Sequence, residues 1–181
     1  MDESSLLLRQ IPHSIEAEQS VLGAMLIDAR CIPDVVEALT GEYFYLKANR
    51  EIYETIYTMF NFSATIDPVT VLDQMKLTGV YDENTSRSYL LQLMEITPTA
   101  ANVKEYIRIV KDKALLRRIA ETAGELTTLV QEGGETAQAV LDLAEQRVYA
   151  IRQGRSAQGL EPLSKILVDV FDQLQELSMS G

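Results

Sequence analysis

A chain of 181 residues that is 46% hydrophobic is long enough to bury one substantial core, and no apolar run approaches the roughly 20 residues that span a bilayer. Its 27 acidic against 16 basic residues leave a net charge of −11, which opposes binding to a polyanion over the chain as a whole. The single cysteine, Cys31, excludes an internal disulfide, and the LLL at positions 6–8 is too short and lacks the basic leader of a signal sequence. A soluble, cytoplasmic protein is expected.

The elements read in chain order as helices. In IPHSIEAEQSVLGAML, residues 11–26, Pro12 stays outside the helix and Ser14 caps it. Glu16 and Glu18 suit the positive end of its dipole. Ile15, Leu22 and Met25 mark its apolar side, widened by Val21 and Leu26. Residues 34–40 make a short helix stopped at Gly41. Residues 47–62 carry Ile52, Ile56 and Met59 on one stripe, with Tyr53, Tyr57 and Phe60 beside it. Asp67-Pro68 opens a helix that Gly79 closes, and residues 86–96 form another, ended before Pro98. No segment alternates long enough to predict a strand, so residues 11–97 read as a globular bundle of short helices behind a disordered stretch at 1–10.

After Pro98 the pattern lengthens. Residues 101–132 contain no proline and only Gly124, which allows one long helix. Gly133-Gly134 reverses the chain, and a second helix follows over 135–153. Leu115, Ile119, Thr122, Leu126 and Leu129 repeat at four and three, as do Ala137, Leu141, Ala144, Val148 and Ile151. Two such seams predict an antiparallel hairpin over residues 98–153. Leu116, Ala123 and Val130, with Val140 and Leu143 on the return helix, are apolar positions that this seam leaves over. Leu116, Val130, Val140 and Leu143 are therefore the expected self-association residues. Residues 102–118 also hold six bases and two acids, a local +4 that reads as a solvated face or as a docking surface for an acidic partner.

GRSAQGLE, residues 154–161, is a tether, and Pro162 opens a final helix striped by Leu163, Ile166, Leu167, Val170, Leu174 and Leu177, with Phe171 at its edge. Catalytic groups do not converge anywhere. His13 is the only histidine, no glycine precedes a lysine, so the phosphate loop G-x-x-x-x-G-K-[ST] is absent from these residues, and Cys31 reads as a buried thiol. No catalytic, cofactor-binding or metal-binding residue is expected. The fold class is all-α: a bundle of short helices, a long hairpin and a tethered amphipathic helix at 154–181.

PHSIEAEQSVLGAML closely resembles the start of the N-terminal domain of bacterial replicative DNA helicases of the DnaB family. EYFYLKANREIYETI, IDPVTVLDQMKLTG, SYLLQLMEITPTAANVKEYIRIVKDKALLRRI, DLAEQRVYAI and LSKILVDVFDQLQEL are similar to its later landmarks, in order and at matching intervals. The resemblance implies a collar on a hexameric ring, built as a trimer of dimers, that receives primase and in many members a helicase loader. It implies a linker helix docking through Leu163, Ile166, Leu167, Val170 and Phe171 on a neighbouring subunit's ATPase domain. It places primase-docking candidates at Tyr89, Arg117 and Ile119. ATP and magnesium would belong to a RecA-type motor domain, an ATP-dependent 5′-to-3′ helicase outside these residues, with weak or no direct DNA contact from the collar. The competing readings are a stand-alone helical adaptor or inhibitor that copies the collar, and a small acidic metalloenzyme. The last lacks any paired carboxylate cluster.

Overall fold

The computed structural model describes residues 11–152; the linker-helix residues Leu163, Ile166, Leu167, Val170 and Phe171 lie outside them. Seven α-helices and no strand occur among the described residues. They are α1 (Ile15–Ile27), α2 (Ile32–Ala38), α3 (Lys47–Asn61), α4 (Pro68–Leu77), α5 (Ser86–Ile96), α6 (Val103–Glu132) and α7 (Ala137–Arg152). Short 3-10 turns at Ala29–Cys31 and Gly41–Tyr43 flank α2. The chain divides into two compact units after Arg117. The division falls inside α6, whose first half belongs with the head.

The local chemistry explains the boundaries. Ser14 accepts the Ala17 amide at the start of α1. Asp67 Oδ1 accepts the Val69 and Thr70 amides at 2.8 and 3.0 Å, and the Asp67 amide donates back to Thr70 Oγ1 at 3.0 Å. This reciprocal cap satisfies donors that every helix start leaves open. Gly79, at φ +75°, takes the left-handed conformation that stops α4.

The core of the first unit is built around α1. The apolar pattern of α1 predicts one stripe, but its residues 21–26 are buried all round, because α3 and α5 both pack on it. Leu22 and Met25 are fully buried together with Ile32, Leu39, Phe44, Ile52, Ile56, Leu90 and Leu93. Ile15, expected on that stripe, is only half-buried. Gly23 permits the close approach of α5: a Cβ there would collide with the Leu93 carbonyl and the Thr97 side chain. On α6, Val103, Ile107, Val110, Ala114 and Arg117 are the buried positions, spaced four and three.

Three weakly acidic groups in the head resist ionisation. Burial pushes the Cys31 thiol to about 11 and the Tyr53 phenol to about 12, and burial also raises Tyr89. Tyr53 Oη donates to the Leu39 carbonyl at 2.5 Å. Because these folded-state pKa values lie above the unfolded ones, the unfolded chain loses its protons first, and stability falls as the pH climbs from about 9 to about 12. Melting temperature measured across that range should decline. Tyr53→Phe should lower the neutral-pH value, through the lost hydrogen bond, while flattening the alkaline limb.

Candidate assembly and docking surfaces

Glu18, read from sequence as an acid at the positive end of the α1 dipole, is 1% exposed. Its carboxylate accepts the Tyr45 amide at 2.7 Å, the Leu46 amide at 3.3 Å and Asn49 Nδ2 at 2.8 Å. Leu46 is the N-cap of α3 and supplies no side-chain cap of its own, so an acid from α1 stabilises that helix start instead. Asn49 Oδ1 in turn accepts the Tyr89 hydroxyl at 2.6 Å, and Tyr89 Oη accepts Gln19 Nε2 at 3.1 Å. One polar network thus joins α1, α3 and α5. Tyr89 was expected on a docking face; the structure shows it half-buried with both hydroxyl functions engaged inside the head.

Arg117 requires the same correction. It is 8% exposed, donating Nη1 to the Pro12 carbonyl at 3.0 Å and Nη2 to the Tyr43 carbonyl at 2.6 Å. Its guanidinium lies 5.7 Å from the centre of the Tyr45 ring, on which His13 also stacks at 4.5 Å. The guanidinium is spent on holding the start of the described chain against the turn before α3, so this side chain is not presented to a partner. His13 belongs to that packing, with Nδ1 donating to the Ile11 carbonyl at 2.6 Å. Two bases of the run around Arg117 are held in ion pairs. Lys104 pairs with Asp34 of α2 at 3.3 Å, and Arg108 sits between Glu105 and Asp112.

In the second unit the chain turns at Gly133, φ +66°, and Arg147 of α7 pairs with Glu125 of α6 at 3.4 Å, which sets the antiparallel hairpin. The half-buried positions are Arg118, Thr122, Leu126 and Leu129 on α6, and Val140, Leu143, Ala144, Arg147 and Ile151 on α7, with Ala150 buried. Val140 and Leu143, expected to be left over, therefore face the seam. Leu141 and Val148, expected in the seam, are 53% and 59% exposed. The all-apolar ladder on α7 is not the seam, because half-buried Arg147 takes a seam position and its guanidinium reaches Glu125. On α6, Leu115 and Ile119 likewise leave the expected seam and are exposed. Leu116 and Val130 are exposed as expected.

Helix geometry places these free side chains. At about 100° per residue, Ile119, Ala123 and Val130 lie on one flank of the α6 seam, and Glu121, Glu125 and Glu132 lie toward the other. On α7, Leu141 and Val148 lie on the matching flank. Because the helices run antiparallel, both apolar flanks fall on the same side of the hairpin. The result is a two-helix face of large exposed aliphatic side chains, which usually marks an interaction surface. Among the described residues no cluster of side chains could hold a metal ion, and no helix is long and apolar enough to cross a membrane.

The described residues thus form an all-helical head and a helical hairpin with an open apolar face. The sequence matches the DnaB-like helicase N terminal domain over residues 10–112, and the chain belongs to that family. It is 34% identical to the replicative DNA helicase DnaB of Mycobacterium leprae over 96% of its own length, and 33% identical to that of Geobacillus stearothermophilus over 92%. It spans only 29% and 37% of those relatives. Among solved structures it resembles the N-terminal domain of DnaB helicase from Mycobacterium tuberculosis, with a TM-score of 0.73 at 35% identity, covering 77% of this chain and 99% of that one. The N-terminal domain of the Helicobacter pylori helicase shares the fold, with a TM-score of 0.57 at 18% identity, covering 72% of this chain and 99% of that one.

Proposed function

We propose that these residues are the collar of a hexameric replicative DNA helicase, self-associating through the open hairpin face and presenting a docking surface to primase. The observation that carries this reading is the shared apolar face of α6 and α7, because side chains such as Leu141 and Val148 gain free energy only when another surface covers them. In this reading dimers form first and assemble as a trimer of dimers. ATP, magnesium and 5′-to-3′ unwinding belong to the motor domain of such a helicase, whose neighbouring copy would take the stripe from Leu163 to Phe171. A cytoplasmic location and a helicase loader as further partner accompany it. Direct DNA binding would be weak, given the net charge of −11.

The Helicobacter pylori domain was studied together with its interactions with primase, as was a second DnaB-like replicative helicase; this supports primase as the partner. With Tyr89 and Arg117 engaged internally, Ile119 is the remaining candidate, at 47% exposure; it shares the flank proposed for self-association, so its binding is read together with the mass by light scattering. Titrating a primase C-terminal domain into the chain by calorimetry tests the reading. Binding is expected, and Ile119→Asp should weaken it by about tenfold or more, as loss of a central apolar contact does. Absence of binding by the parent chain would contradict primase docking.

A further inference from the structure

A groove of about 700 Å³ lies in the head, lined by α4, the loop before it, Met59 of α3, Tyr81 and the start of α5. Met59, Val69, Leu72 and Tyr81 give it an apolar lining, and Val69 is 75% exposed. Its charged rim is Lys76 and Arg87 against the single acid Asp73, an inversion of the balance of a chain whose net charge is −11. Lys76 lies 5.0 Å from the centre of the Tyr81 ring. Arg87 makes no hydrogen bond or ion pair among the described residues. It also sits in the first turn of α5, which holds no acid and where the helix dipole disfavours a base. A local rule broken without a local partner is characteristic of a residue that acts on something else.

We propose that this groove receives an acidic segment of another protein, whose carboxylates pair with Lys76 and Arg87 while an apolar side chain covers Val69 and Leu72. A second copy of this chain fits less well, because its acidic surface would bring general repulsion along with any local pairing. Asp67 already occupies the positive end of α4, so the preference for anions comes from the two bases.

The probe is a fluorescein-labelled peptide of aspartates carrying a leucine and a phenylalanine one helical turn apart, followed by anisotropy with the full chain. It should bind, more weakly as salt rises, and the same peptide with lysines for aspartates should not. Arg87→Glu should weaken binding about tenfold, as reversal of a rim charge opposite carboxylates does, without lowering the melting temperature, because an acid suits the first turn of α5. No binding by the parent chain, equal binding by Arg87→Glu, or equal binding of the lysine peptide would each overturn the proposal. So would a fall in mass by light scattering for Arg87→Glu, which would assign the groove to a second copy.

Discussion

Glu18→Ala should lower the melting temperature of the head by on the order of 10–20 °C. The substitution strands the Tyr45 and Leu46 amides and Asn49 Nδ2, which all bond to that carboxylate. Leaving a buried donor unsatisfied costs about 1–3 kcal/mol; because the Tyr45 and Leu46 bonds are only part-buried, the total stays near the low end, at about 3–5 kcal/mol, of the order seen when a buried charged network loses one member. That is a large fraction of the roughly 5–15 kcal/mol by which a domain is stable. The loss of order should spread along the network, since Asn49 also accepts the Tyr89 hydroxyl. Glu18→Gln keeps the shape but offers one acceptor oxygen in place of two, and should fall between. Thermal unfolding followed by circular dichroism checks the order; a Glu18→Ala protein as stable as the parent would remove the network from the explanation of the head.

The second large effect concerns the hairpin, where neighbouring positions should separate folding from assembly. Leu141→Asp and Val148→Asp alter side chains that are more than half exposed. They should leave helicity intact and reduce the mass in solution, because each places a charge in the open face, where desolvating it without a partner costs several kcal/mol (about 3–5). Val140→Asp and Leu143→Asp alter seam positions and should lower the melting temperature of the second unit instead. Light scattering and circular dichroism on the four variants distinguish the two outcomes. If the seam and face variants behave alike, the rotation of α7 described above is not the working arrangement.

Much of the fold is legible in the letters because its punctuation is local. Ser14, Asp67-Pro68, Gly79 and Gly133 mark boundaries through capping and backbone conformation, and the helices begin and end beside them. What the letters conceal is which of two equivalent registers a helix presents. On α7, the ladder through Leu141 and Val148 and the ladder through Val140, Leu143 and Arg147 have the same spacing. Tertiary packing, with Arg147 reaching Glu125, chooses the second. Charged residues are the other blind spot. Glu18 and Arg117 look like surface groups, yet each is buried on partners far away in sequence: Glu18 on Tyr45, Leu46 and Asn49, Arg117 on Pro12 and Tyr43. No local pattern announces such partners. The primase candidates Tyr89 and Arg117 came from resemblance, and the structure gives both side chains internal roles instead.

Self-association through the open apolar face would be seen plainly by sedimentation velocity of the chain over a dilution series. The mass should exceed that of one 20.3 kDa chain at high concentration, as a dimer or larger, and fall toward it on dilution, with Val148→Asp shifting the transition to higher concentration. A sedimenting mass of 20.3 kDa at every concentration would contradict the claim.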